Sequence, residues 1–97
     1  MTIARHYVMH AKEGYTAELE TALRRLAAVL PTIPGSGGAE LLRDLGNERR
    51  FVFIEKWDSV EAHKAGGPLL PKEALAPLRE AMDGPPEGGY LDYLLTT

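Results

Sequence analysis

Hydrophobic and polar positions alternate from Thr2 to His10, with Ile3, Arg5, Tyr7 and Met9 on one side and Ala4, His6, Val8 and His10 on the other. A period of two with β-branched and aromatic residues predicts a strand. After a Lys12-Glu13-Gly14 turn the period changes. Leu19, Leu23, Leu26 and Leu30, with Ala22 and Ala27, form one apolar stripe at helical spacing. Thr16 is placed to cap this helix, Glu18 and Glu20 suit the positive end of its dipole, and Pro31 and Pro34 stop it. Gly35 to Gly38 then lead into a strand from Ala39 to Asp44, and the turn signal Gly46-Asn47 makes residues 39–57 a hairpin. Asp58 is expected to cap a short helix, with Glu61 three residues later completing a capping-box pattern, and Gly66-Gly67-Pro68 ends that helix. Residues 71–82 read as a further helix that Pro77 must kink or split. A Gly/Pro loop over 84–89 precedes a last strand from Tyr90 to Leu95.

The order strand, helix, strand, strand, broken helix, strand predicts an α+β protein on the ferredoxin-like split βαβ plan. Its antiparallel sheet carries helices on one face. The run Phe51-Val52-Phe53-Ile54 is apolar on both faces of such a sheet, because strand side chains alternate. A sheet face left in water should be polar. The pattern therefore predicts a second copy packed on the open face as a homodimer, through Val52 and Ile54.

Composition narrows the function more than the fold. A chain of 97 residues suggests a single domain over 1–97, and 44% hydrophobic with 26% charged residues is ordinary for a globular protein. The net charge of −3 offers no basic field, so nucleic acid is not an expected partner. Cysteine is absent, which excludes disulfides and thiolate metal sites and fits a cytoplasmic location. No apolar run approaches the roughly 20 residues needed to cross a bilayer, so no membrane role is expected. The Gly35-Ser36-Gly37-Gly38 loop runs from helix to strand, the reverse of a phosphate loop. His6 and His10 stand about 13 Å apart on a strand, too far to share an ion, and no metal is expected.

The phrase FVFIEKWDSVEAHKAG over residues 51–66, preceded by GSGGAELLRD over residues 35–44, resembles the antibiotic biosynthesis monooxygenase family. The resemblance runs from the Lys12-Glu13-Gly14 turn to the final strand and is most specific at Glu55-x-Trp57-x-Ser59 with Ala62-His63. It implies a dimeric α+β barrel in which two sheets face each other. It also implies, in some members, oxidation of phenols or quinols by molecular oxygen without metal or flavin. Trp57 then falls on a tryptophan lining the pocket of the cofactor-free enzymes, Phe53 on their asparagine and His63 on their tyrosine. The match to the heme-degrading branch fails, since no histidine lies near Ala76, where that branch carries its iron ligand.

Parity puts Phe51, Phe53, Glu55 and Trp57 on one sheet face, and the resemblance implies that this face, with His6, looks into a cavity under the helices. Phe51, Phe53, Trp57 and Tyr90 are the expected substrate-binding residues, and His63, or else His6, the catalytic base. Packing accounts for Trp57 as well, Glu55 reads as a carboxylate paired with Arg49, Arg50 or Lys56, and His63 as a solvated helix residue. No nucleophile motif or cofactor motif occurs. The expected function is a cofactor-free monooxygenase that takes a small aromatic substrate and oxygen. A non-catalytic dimeric binder of small molecules and a cofactor-free isomerase are the alternatives.

Overall fold

The computed structural model describes residues 2–97. Four strands, β1 (Ile3–His10), β2 (Ser36–Asp44), β3 (Asn47–Trp57) and β4 (Glu87–Asp92), form one antiparallel sheet in the order β2-β3-β1-β4. Helix α1 (Thr16–Val29) links β1 to β2, while α2 (Val60–Gly66) and α3 (Lys72–Ala81) lie between β3 and β4. This is the expected α+β, ferredoxin-like split βαβ arrangement. No helix among the described residues is long and apolar enough to cross a membrane.

The leucine stripe of α1 explains the core. Leu19, Ala22, Leu23 and Leu26 are buried, and they join Met9, Phe51, Phe53 and Trp57 of the sheet in one cluster. Leu78 and Ala81 of α3 complete it. Phe53, Leu19, Leu23 and Leu30 are fully buried, each contributing about 1.5–3 kcal/mol. Burial along β3 alternates from Phe51 to Trp57 as parity requires, with the odd positions inside. Val8, Val52 and Ile54 lie on the opposite face, half-exposed, beside Leu42.

Several boundaries differ from the sequence reading. Strand β2 begins at Ser36 rather than Ala39, because Ser36 still pairs with Trp57 across an irregularity before Ala39. The last strand starts at Glu87 and ends at Asp92, not Tyr90 to Leu95. Gly88 allows this: a side chain there would meet the His6 carbonyl oxygen, so only glycine lets the two backbones approach. The first helix has Tyr15, not Thr16, at its N-cap, without a side-chain hydrogen bond. Ser59 rather than Asp58 caps α2, its hydroxyl accepting from the Ala62 amide at 3.0 Å. Asp58 lies one residue before the cap, its amide donating to the Gly35 carbonyl at 2.8 Å. Helix α3 continues through Pro77, whose ring removes only the hydrogen bond to the carbonyl of exposed Glu73 in the first turn.

One glycine decides how closely α2 sits on the sheet. A methyl group added at Gly66 would lie 2.6 Å from Cη2 of Trp57 and 2.9 Å from Cγ2 of Ile33, whereas one at Gly67 would meet nothing within 4 Å. Gly66→Ala is therefore expected to destabilise the protein by about 1–3 kcal/mol, as overpacking does. Gly67→Ala meets only the restriction that Pro68 places on a helical residue before it, and should cost less than Gly66→Ala. Urea unfolding of the two variants beside the wild type measures the difference.

Candidate functional site

The register across the sheet sets the site. On the face under the helices, Tyr90 of β4, Arg5 of β1 and Glu55 of β3 stand in one cross-strand row. The next row places Tyr7 opposite Phe53. Helix α2 projects His63 over both rows from its first full turn after Ser59.

His63 joins these rows by side-chain hydrogen bonds. Its Nε2 lies 2.9 Å from the Tyr7 hydroxyl, and its Nδ1 lies 2.7 Å from the Tyr90 hydroxyl. The indole N–H of Trp57 donates to Oε1 of Glu55 at 2.9 Å, and that oxygen is 3.7 Å from Nε2 of His63. The imidazole also meets the Trp57 ring edge-on, with centroids 5.4 Å apart. An ionised Glu55 so near Nε2 favours the tautomer with hydrogen on Nε2. Nδ1 then accepts from Tyr90, and the Nε2–H donates to Tyr7.

Burial governs the charge states. It pushes the Glu55 carboxyl above the usual carboxylate range, against the opposing pull of the Trp57 N–H and the Arg5 charge. Burial lowers the His63 pKa from its ordinary 6.5, helped by the positive charges of Arg5 and Lys64. Tyr7 is raised by burial and by the Glu55 charge, and so stays a neutral phenol. At neutral pH the centre of the site is thus an uncharged imidazole with an open capacity for one proton. Arg5 lies alongside, its guanidinium carbon 4.5 Å from the Tyr7 ring centroid and 4.9 Å from that of Tyr90.

The structure brings His63, Trp57 and Tyr90 together, three of the residues expected from the sequence. Phe51 and Phe53 are on the same face but sit within the core, at 1% and 0% exposure. His6 is the correction. It stands opposite Ile54 and Gly89 on the face away from the helices, because Arg5 and Tyr7 take the positions that share a face with Phe53. Glu55 is also reassigned, since its partner is Trp57 rather than an arginine or lysine. His63 is not solvated, its side chain being 19% exposed. Sequence reasoning missed Arg5 as a site residue. The signal was available in the parity of β1, which places Arg5 and Tyr7 together once the register with β3 is known.

Trp57 is 2% exposed and closely packed by Gly66, so the surfaces open to a ligand are those of Tyr90, Tyr7, Arg5 and His63. A separate open cleft of about 450 Å³ lies between α1 and the β2 edge, walled by Glu20, Arg24, Leu41 and Arg43. None of the hydrogen-bonded partners of the imidazole lines it. Glu20 there is paired with both arginines.

Comparison with known proteins gives the family and the fold. The sequence profile of antibiotic biosynthesis monooxygenases matches residues 2–65. The chain belongs to the antibiotic biosynthesis monooxygenase family. Solved structures extend the likeness over the whole chain. A Bordetella bronchiseptica protein carrying the same family name superposes with a TM-score of 0.87 at 18% identity, covering 97% of this chain and 98% of its own. A Caulobacter crescentus protein of that family name gives 0.80 at 26% identity, with 97% and 91% covered. SnoaB, a cofactor-independent oxygenase from Streptomyces nogalater, gives 0.74 at 24% identity, with 98% and 93% covered. The chain matches none of the curated proteins.

The raised pKa of Glu55 has a consequence for this family member's stability. A carboxyl whose folded pKa exceeds its unfolded value binds more protons when folded, so stability falls as pH rises through that window. Glu55→Gln keeps an oxygen for the Trp57 N–H and removes the charge. The variant is expected to match the wild type in acid. Above the ordinary carboxylate range it should become the more stable of the two, the gap widening until Glu55 is fully ionised. Thermal unfolding of both proteins across acid to neutral pH checks this, and a gap that shrinks with rising pH would contradict it.

Proposed function

We propose that the protein is a cofactor-free monooxygenase that oxidises a small phenolic or quinol-type substrate with molecular oxygen. The observation that carries this reading is the neutral His63 imidazole, held between the Tyr7 and Tyr90 hydroxyls beside Trp57. Membership of the family and the fold shared with SnoaB support it.

The chemistry asks little of the protein. A phenol that is the enol tautomer of a ring ketone becomes a strong reductant once deprotonated. Its proton passes to the Tyr90 oxygen as Tyr90 gives its own to Nδ1 of His63, and the imidazolium is stabilised by Glu55. The anion transfers one electron to oxygen, and the resulting radical and superoxide combine in a C–O bond. The imidazolium returns its proton to the peroxide, which loses water to leave a carbonyl. One oxygen atom ends in the product and the other in water, whose two hydrogens come from the phenol hydroxyl and from the carbon that is oxidised. Buried aromatic surface around the base limits competing water.

Oxygen uptake with anthrones and hydroquinones tests the reading. His63→Ala should lower turnover by roughly 10²–10⁴-fold, the usual contribution of a general base. The wild-type rate should rise with pH through the lowered pKa of His63 and level off once the imidazole is neutral. Equal rates for variant and wild type would clear His63 of catalysis. Conversion of substrate without oxygen uptake would instead make the site a proton-transfer isomerase. Because the variant also loses two side-chain hydrogen bonds, about 1–3 kcal/mol of stability goes with them, and circular dichroism is needed to show that it remains folded.

The working unit under this reading is a homodimer. Half-exposed Val8, Val52 and Ile54 with Leu42 give the open sheet face an apolar centre that a second copy would cover. Ile54→Lys would place a charge in that centre and is expected to yield monomers, whereas the wild type sediments as a dimer at micromolar concentration. A monomeric wild type would end the proposal.

A further inference from the structure

Arg5 stands apart from the arginines on the surface. Arg24, Arg43, Arg49 and Arg50 each reach a carboxylate, and Arg25 and Arg79 are exposed to water, whereas among the described residues Arg5 is half-buried and reaches no carboxylate within ion-pair distance. Its Nε is shut off from solvent without a hydrogen-bond partner. Glu55 is directly opposite on the neighbouring strand, yet its carboxylate is turned to Trp57 and His63. What holds the guanidinium is two aromatic faces, those of Tyr7 and Tyr90. A half-buried cation with no carboxylate in ion-pair contact keeps part of its field available to a ligand, beside the neutral imidazole.

We infer that Arg5 is the anion-holding group of this site, and that the protein binds its aromatic ligand as the phenolate rather than as the neutral ring. The inference deepens the monooxygenase reading and rests on it for the identity of the site. The guanidinium carbon lies 4.5 Å from one tyrosine ring centroid and 4.9 Å from the other, and its planar fork of donors suits an oxygen carried on a flat ring. Tyr90 serves both devices. Its hydroxyl leads to His63, and its ring flanks Arg5, so a phenol donating to that hydroxyl lies next to the cation. A proton leaving towards His63 leaves its negative charge where Arg5 can receive it. Arg5 also keeps His63 from holding a proton before substrate arrives, since its charge lowers the imidazole pKa. One cation thus readies the base and receives the anion the base creates. Ligands without an ionisable oxygen are discriminated against because they leave the guanidinium unneutralised.

Binding can be read without turnover. Calorimetric titration at about pH 8, where para-nitrophenol is a phenolate and His63 is neutral, compares it with para-nitroanisole, a neutral ring of the same outline. The wild type is expected to bind the phenolate more tightly. Arg5→Gln should weaken phenolate binding by about tenfold to a hundredfold, the usual range for a charged hydrogen bond, and leave the anisole affinity unchanged. Arg5→Lys, which keeps the charge and loses the planar donors, should fall between the two, with thermal unfolding reporting that each variant is folded. Equal affinity of the wild type for the two probes, or no binding of the phenolate, overturns the inference, as does an Arg5→Gln variant that keeps the preference. Oxygen uptake is measured separately. Phenolate binding through Arg5 with no oxygen consumed would leave this inference standing and remove the oxygenase reading. Oxygen uptake that Arg5→Gln does not alter, with no preference between the probes, would remove the inference alone.

Discussion

The contact on which the rest of the site depends is the seating of α2 against the Trp57 ring at Gly66. A helix of seven residues has little stability of its own and is held by what it packs on. With no side chain at Gly66, the helix backbone approaches the indole closely, and Ile33 closes the same space from the end of α1. That seating brings the imidazole of His63 within hydrogen-bond reach of two strands at once. A helix displaced by one methyl group would move His63 by a distance comparable to the tolerance of a hydrogen bond. Core packing and site geometry are therefore one constraint here, with Trp57 common to both.

Charge is arranged by divergence. Arg5 and Glu55 stand opposite each other on paired strands, where an ion pair would be the expected outcome. Glu55 turns instead to the indole N–H, and Arg5 to the two tyrosine rings. Each remains close enough to influence the groups between them: the arginine opposes protonation of His63, and the glutamate raises Tyr7. The tyrosines thus act as spacers, and their hydroxyls carry the hydrogen bonds that the charges do not.

The order of elements, the leucine stripe of α1, the shared face of Phe51, Phe53, Glu55 and Trp57, and the apolar pair Val52 and Ile54 on the other face were all legible in the chain. Each follows from local periodicity, which depends only on where a side chain points along its own element. The phrase around Trp57 and His63 carried the family resemblance for a similar reason, being contiguous. Boundaries were less legible where a distant partner decides them. Gly88-Gly89 reads as loop until β1 is seen to lie against it, and Asp58, which reads as a cap, lies one residue before it with its amide donating to Gly35.

The sequence by itself determined the fold class and which residues of β3 share a face, and the family resemblance implied which of the two faces lies under the helices. Only the tertiary structure decided which residues of β1 share that side, since parity leaves two choices and register with β3 selects one. That selection removed His6 and brought in Arg5 and Tyr7. The tertiary structure also decided that His63 is neutral, because its charge state depends on burial and on Arg5, 58 positions away in the chain. Side chains this far apart in sequence acquire a common chemistry only when the sheet and α2 put them within a few ångströms, and no pattern within a single element records that distance.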